Sequence, residues 1–466
     1  MVEVASLLIR GAELLSGQRA DVRLAHGRIE DVGSLAPRSG ERCIAAAGGL
    51  LLPGLHDHHL HLAATATARV SVRCGPPDVL DAGMLARALD RPGTDWLRGI
   101  GYHESVAGML HRSWLDDVTG DRPVRIQHRG GRMWFLNSAA IARLLANSDG
   151  PPTGLDLASG QLFDADRWLR EALESRPPPL DGLGTELSRL GITGVTDMGP
   201  ANGTVEHAYI ASEQARGALP QRVVLAGSAQ LDAIEDSGWL ARGPHKIHLH
   251  EANLPPYEEV VAAIIAAHEQ GRGVAVHCVT ELELVFALAA LREAGPDRAD
   301  RIEHAAVAPN ALVSQIAEMG LCVAVQPLFV AERGDAYLRD VPAPDWPHLY
   351  RLRGFVDAGV PIAGSSDAPY VAVDPWKSMA VAVSRRTAKG ASLGEDEALD
   401  PRAALVLYLA DPLDLRRTRE VRAGAPADLC LLDAGWEVVG QDLNASRVRM
   451  TIVGGKIVHD ARGPSE

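Results

Sequence analysis

Short apolar runs alternate with longer amphipathic segments through the middle of the chain. The segments 257–270 and 281–293 have the apolar spacing of helices, and the runs between such segments have the length of buried strands. Eight strand candidates follow one another: Leu50–Leu55, Gly194–Asp197, Arg222–Gly227, His245–Leu249, Gly273–His277, Arg301–His304, Leu321–Gln326 and Val360–Ser365. Eight strands alternating with helices predict an α/β fold of the (β/α)8 TIM-type barrel class. A doubly wound sheet is the rival, but no G-x-G-x-x-G follows the first strand.

Both ends of the chain have a different pattern. Short alternating or β-branched segments are separated there by Gly and Asp, at 6–10, 21–24, 28–32, 428–432 and 449–453. This pattern predicts a small β-sandwich domain formed from both termini, residues 1–52 plus 415–466, and a barrel over 53–414. Residues 65–190 do not fit a single strand–helix unit, and we expect them to form a long insertion or cap after strand 1.

Composition narrows the class of protein. Hydrophobic residues make up 46% of the chain, enough for a large core, and the net charge of −14 argues against nucleic acid or an anionic membrane as partner. The five cysteines are dispersed without a C-x-x-C, which is typical of reduced thiols in the cytoplasm. The first residues have no secretion signal, and no stretch is long and apolar enough to span a membrane. We expect a small-molecule substrate; whether the chain forms a homo-oligomer stays open.

The densest candidate site is the run Pro53-Gly54-Leu55-His56-Asp57-His58-His59-Leu60-His61. In a strand, residues two apart point to the same face, so His59 and His61 would converge, with Asp57 on the same side. Two convergent imidazoles are what a Zn²⁺-like ion takes from one strand. His56 and His58 would lie on the opposite face, either behind the ligands or at the surface. A histidine-rich surface loop is the alternative interpretation.

Further candidate ligands stand at the carboxyl ends of other strands, where a barrel of this kind places its active site. They are Lys246 on the fourth strand, His277 on the fifth, His304 on the sixth and Asp367 after the eighth. A single buried histidine is most often an ordinary core residue, but the whole set suits hydrolysis by metal-activated water. A carboxylate such as Asp367 can take the proton of that water and pass it to the leaving group.

These residues resemble the amidohydrolase superfamily of metal-dependent hydrolases. The histidine run matches its P-G-x-x-D-x-H-x-H motif, and Gly424-Ala425-Pro426-Ala427-Asp428 resembles its G-x-x-A-D motif before a hydrophobic strand. The long insertion, Arg301-Ile302-Glu303-His304 and Ser366-Asp367-Ala368-Pro369 are similar to the branch that contains N-substituted formamide deformylase and YtcJ-like proteins. The resemblance covers the whole chain.

The resemblance implies a role for each matched residue. His59, His61 and Asp367 would bind one divalent ion, and His277 and His304 a second. Lys246 would be carbamylated by CO₂ and bridge both ions, with His248, His250 and Glu251 as competing ligands nearby. Two Zn²⁺ ions are expected, with Mn, Fe or Co as alternatives. Asp367, His277 and His304 would be the catalytic residues.

One departure bears on the substrate. The branch commonly has a histidine five positions before the Asn-Ser of the insertion, where this chain has Arg132. Arg132 could bind a substrate carboxylate through its planar guanidinium or form a structural salt bridge. His128 lies nearby in sequence, and Tyr102, His103 and Glu104 form another polar cluster that could face the substrate.

The pattern as a whole predicts a metal-dependent hydrolase of an amide-type C–N bond, acyclic, in a small molecule. A deaminase or cyclic-amide hydrolase on the same barrel is an alternative. So is a binding protein that keeps the fold without catalysis, although the complete ligand set argues against it.

Overall fold

The computed structural model describes residues 6–173, 177–443 and 447–463. Contacts divide the chain into two compact units, one of Met1–Leu62 with Pro179–Glu466 and the other of Ala63–Pro178. The first unit contains two eight-stranded sheets, and the second contains a six-stranded sheet.

The barrel sheet has eight parallel strands in chain order. These barrel strands one to eight are Leu55–Leu60, Ile192–Asp197, Arg222–Gly227, Leu240–His248, Val274–Cys278, Arg301–His304, Cys322–Val325 and Ile362–Gly364. Backbone hydrogen bonds from Asp367 N to His59 O (2.7 Å) and from His61 N to Ala368 O (2.9 Å) join the segment after the eighth strand to the first. The predicted TIM-type barrel is therefore confirmed.

Helices lie between most of these strands. In the first unit, the described α-helices between barrel strands are Asp181–Arg189, Thr204–Ala215, Tyr257–Glu269, Glu281–Ala294, Asn310–Glu318, Leu328–Asp340 and Arg353–Asp357, and Pro375–Ser384, Pro401–Val406 and Trp436–Val439 follow the eighth strand. The helix Glu281–Ala294 begins with a capping box, in which Thr280 and Glu283 each bond the other's backbone N–H. Among the described residues, no helix combines the length and the apolar character that crossing a bilayer requires.

The prediction for the first barrel strand was wrong. Leu50–Pro53 belongs to the other sheet, where it pairs with Leu429–Leu432, and barrel strand one is the histidine run Leu55–Leu60 itself. Gly54 separates the two strands at a close approach, because a Cβ there would lie 2.0 Å from the side chain of Thr193. The other seven predicted strands coincide with barrel strands two to eight: Arg222–Gly227 and Arg301–His304 match at both ends, and the other five have shifted ends.

The terminal sheet combines strands from both ends of the chain. It contains Leu7–Leu14, Arg19–Ala25, Arg28–Gly33, Arg42–Ala45, Leu50–Pro53, Leu429–Leu432, Val448–Val453 and Lys456–Asp460. Many of its buried side chains, including Ile9, Val22, Leu431 and Ile452, form one hydrophobic cluster. Strands from both termini are thus paired as expected, while the β-sandwich form and the boundaries 1–52 and 415–466 stay predictions.

The second unit has its own sheet and two hydrophobic clusters. The strands are Val72–Arg73, Leu97–Tyr102, Val124–His128, Met133–Leu136, Leu155–Asp156 and Gln161–Phe163. Four of its helices are Ala82–Leu89, Arg112–Thr119, Ser138–Ala146 and Asp166–Ala172, and a further helix, Leu62–Arg69, leads into it. The insertion after barrel strand one is therefore more than a loop, because the unit Ala63–Pro178 forms hydrophobic cores of its own.

A buried ion pair in the terminal sheet gives a prediction on stability. Glu41 accepts from Arg23 Nε (2.7 Å) and from Arg38 N (3.0 Å), and the bond from Arg23 is the main cause that lowers the pKa of Glu41 to about 2. Since the folded pKa lies below the ordinary 4.5, the pair stabilises the protein above that pH, and this contribution is lost as the pH falls towards 2.

We therefore expect Glu41→Gln to lower the midpoint of urea unfolding at pH 7, and the difference from wild type to shrink as the pH falls from about 5 to about 3. Glu30→Gln, which removes an exposed partner of Arg38, is the control and should change little at either pH. A difference for Glu41→Gln that stays constant with pH would contradict the prediction.

Candidate metal centre

Four imidazoles converge at the carboxyl ends of the barrel strands. The ring centroids of His59 and His304 lie 4.7 Å apart, those of His304 and His277 4.5 Å, and those of His59 and His61 5.5 Å. Asp367 Oδ1 lies 3.3 Å from His59 Nε2 and 3.4 Å from His61 Nε2. Side-chain ligand atoms of His59, His304 and Asp367 all lie within 4.8 Å of one another, which is close enough for one ion.

Unusual backbone conformations bring two of these side chains inwards. His304 has φ 72° and Asp367 φ 58°, both in the left-handed region that residues with a Cβ seldom adopt. Strand alternation alone would place His304 on the face opposite to Glu303, but the positive φ turns the chain at the strand end. Strained residues of this kind concentrate at functional sites.

The second nitrogen of each of two rings is held by a neighbour. His304 Nδ1 lies 2.9 Å from Gln326 Oε1, and His304 Nε2 is buried without a hydrogen bond to any residue that the structure describes. His59 Nδ1 lies 2.5 Å from Glu303 Oε2, so that Nε2 is the nitrogen near Asp367. Metal-binding histidines are typically held in this way, with the other ring nitrogen donating to an oxygen.

Burial determines the charge state of the cluster. Desolvation lowers the pKa of His59, His277 and His304 well below the ordinary value, and it raises the pKa of Asp367 against the opposing effect of His61. The imidazoles of these three histidines are therefore neutral near pH 7, which is the form that binds a metal ion.

Lys246 is the least expected member of the site. Its side chain is buried on barrel strand four, and Nζ makes no hydrogen bond to the described residues. Burial lowers the pKa of Lys246 to about 8, although Glu303 partly opposes this effect. An amine that is buried, unbonded and readily neutral is what carbamylation by CO₂ requires. The fit of these donors to divalent ions is good.

The competing ligands of strand four are placed differently. The ring of His248 lies 4.3 Å from that of His277, so His248 stays close to the site. His250 is exposed and accepts a hydrogen bond from Ala252 N through Nδ1 (3.3 Å). Glu251 is exposed as well.

The other residues of the histidine run support the ligands from behind. Asp57 is buried and accepts hydrogen bonds from His59 N (3.2 Å) and Ser366 N (3.0 Å), and burial raises its pKa to about 6. His56 Nε2 lies 2.9 Å from Thr196 Oγ1, and the side chain of His58 is fully buried. Neither His56 nor His58 is at the surface. Both lie behind the candidate ligands, which was one of the two predicted placements.

The predicted substrate residues all belong to the second unit. Glu104 lies 3.0 Å from His128 Nε2 and 3.5 Å from His103 Nε2, so these three side chains form a cluster. Tyr102 is buried, and its hydroxyl donates to Gly108 O (2.7 Å). Arg132 forms a bidentate salt bridge with Asp164, the structural alternative considered above, and a substrate carboxylate would have to displace that partner.

Sequence reasoning missed Glu303, Arg301 and Gln326. Glu303 accepts from Arg301 Nε (2.5 Å) as well as contacting His59. The signal was present, because Arg301 and Glu303 are two apart on a short strand whose inward face should otherwise be apolar. Gln326 follows barrel strand seven and carried no such signal.

Known proteins are similar to this chain over most of its length. It is 25% identical to N-substituted formamide deformylase of Arthrobacter pascens, with 97% of this chain and 95% of the relative covered. It is 24% identical to the putative amidohydrolase YtcJ of Bacillus subtilis, with 90% of each chain covered.

Solved structures share the fold. An uncharacterised metal-dependent hydrolase of Pyrococcus horikoshii superposes with a TM-score of 0.79 at 20% identity, covering 95% of this chain and all of the other. N-isopropylammelide isopropylaminohydrolase of Burkholderia multivorans gives a TM-score of 0.54 at 18% identity, with 98% and 99% covered.

The profile of the amidohydrolase family matches residues 42–459, from the terminal sheet through the whole barrel and back. Since this match includes every strand that carries a candidate ligand, the chain belongs to the amidohydrolase family and is a hydrolase of carbon–nitrogen bonds.

Proposed function

We propose that this protein hydrolyses an acyclic amide-type C–N bond of a small molecule with the help of two divalent metal ions. Zn²⁺ is the expected metal. His59, His61 and Asp367 would hold one ion, His277 and His304 the other, and carbamylated Lys246 would bridge them. The name of the deformylase relative supports an acyclic amide as the substrate. The observation that carries the proposal is the buried, unbonded amine of Lys246 beside convergent neutral imidazoles.

The bound ions would supply Lewis acidity, which activates water and polarises the substrate carbonyl. Asp367 holds the attacking water through its carboxylate, takes its proton and delivers that proton to the leaving nitrogen. His277 and His304 fix the donor set from the neighbouring strands five and six.

We also propose a cytoplasmic location. The unpaired state of the five cysteines, four of which are buried, supports it.

We further propose that the two termini form a separate β-sandwich domain. The pairing of strands from both termini supports this domain.

Lys246→Ala tests the bridging role. We expect metal content to fall from two ions per chain to about one. We also expect kcat/KM on a panel of N-formyl and N-acyl amines to fall by about 100-fold, the upper end of the range for loss of a residue that supports a metal site. Lys246→Glu, which places a carboxylate on the same strand, should retain more metal than Lys246→Ala. Lys389→Ala, at an exposed lysine, is the control. One ion in wild type and no effect of Lys246→Ala would contradict the binuclear site and favour a deaminase.

Asp367→Asn tests the proton transfer. We expect kcat to fall by about 10²–10⁴-fold, because an amide can neither take nor return the proton. Metal content is measured on the same sample to separate lost ligation from lost catalysis. Asp357→Asn, at an exposed aspartate that ends the short helix Arg353–Asp357, should leave kcat unchanged. Full activity of Asp367→Asn on any substrate that wild type hydrolyses would remove the mechanism.

A further inference from the structure

We propose that Glu303 and Arg301 are positioning residues that fix the tautomer of His59 and thereby set the metal affinity of the centre; this inference rests on the proposed function. Both side chains are buried inside the barrel. That of Glu303 is fully buried, and 4% of the surface of that of Arg301 is exposed. One carboxylate oxygen of Glu303 lies 2.5 Å from His59 Nδ1, and the other accepts from Arg301 Nε at 2.5 Å.

The chemistry of these groups allows one arrangement of protons. Arginine only donates, and a carboxylate beside it only accepts. The proton of the His59 ring therefore resides on Nδ1, and Nε2 presents its lone pair towards Asp367, 3.3 Å away. An anionic acceptor at Nδ1 also increases the electron density of the ring, which makes Nε2 a stronger ligand.

Arg301 fixes the backbone as well as the carboxylate. Its Nη2 donates to His58 O (2.9 Å), the carbonyl immediately before His59. Together the two residues hold the side chain and the main chain of one ligand from strand six, across the barrel from strand one. A buried ion pair is costly to desolvate and is weak evidence for stability on its own. Its position against a metal ligand gives the pair a function that a hydrophobic replacement could not provide.

Glu303→Gln tests the tautomer directly, because the amide has the same shape but one donor and one acceptor. With its oxygen towards Arg301, the amide directs NH₂ at His59 Nδ1, which then accepts and leaves the proton on Nε2, facing the ion. We expect the Zn²⁺ affinity of the metal-depleted protein, measured by competition with a chromophoric chelator, to fall by about 10–100-fold. Glu303→Asp keeps a carboxylate and should lose less.

Comparing Glu303→Asp with Glu303→Gln distinguishes positioning from packing. Glutamine has the shape of glutamate without its charge, whereas the shorter aspartate keeps the charge. Positioning predicts tighter Zn²⁺ binding in Glu303→Asp than in Glu303→Gln, and a packing role predicts the reverse. Both affinities are measured on folded protein, and each melting temperature is recorded without metal to confirm folding.

Glu41→Gln is the matched control, since Glu41 is also a buried glutamate paired with an arginine, but in the terminal sheet. It should lower stability and leave Zn²⁺ affinity unchanged. Wild-type affinity in Glu303→Gln, or tighter Zn²⁺ binding in Glu303→Gln than in Glu303→Asp, would overturn this proposal. Failure of wild type to bind Zn²⁺ at all would instead overturn the proposed function.

Discussion

Desolvation at the mouth of the barrel is the constraint on which the site depends. Several candidate ligand groups are packed where charged forms are costly, and burial shifts each pKa towards the neutral form: down for His59, His277, His304 and Lys246, up for Asp367. A cluster of protonated imidazoles at centroid distances below 5 Å would repel itself and could not bind a cation. Burial therefore keeps the lone pairs available before any ion arrives, and the ligands need little reorganisation.

The terminal sheet takes part in this arrangement through the start of barrel strand one. Asp428, in the Ala-Asp motif, accepts from Arg222 Nε (2.5 Å) and Gly454 N (2.7 Å) through its side chain, and its carbonyl accepts from Gly54 N (2.8 Å). One residue thus connects the returning chain, the third barrel strand and the residue that precedes the histidine run. The G-x-x-A-D motif therefore has a structural role, because Asp428 fixes the position at which barrel strand one begins.

The sequence allowed much of the fold to be predicted, since buried parallel strands are near-continuous apolar runs that alternate with helices. It failed at the first strand, because Leu50–Pro53 and Leu55–Leu60 are separated only by Gly54 and periodicity cannot assign them to different sheets. The convergence of His59, His304 and Asp367 follows from strand ends meeting at one edge. The positive φ values of His304 and Asp367 could not be predicted, because tertiary contacts rather than local preference stabilise them.

Glu303 illustrates a different limit. Motif reasoning searches for groups that touch the ion, and it passes over the groups that orient them. The two oriented rings are held by acceptors of different charge, since His59 Nδ1 faces the carboxylate of Glu303 whereas His304 Nδ1 faces the neutral amide of Gln326. A carboxylate acceptor strengthens its histidine as a ligand more than an amide does. It follows from the proposed assignment that the two ion sites are unequal, and that the site containing His59 and Asp367 is the one built to hold its ion more tightly.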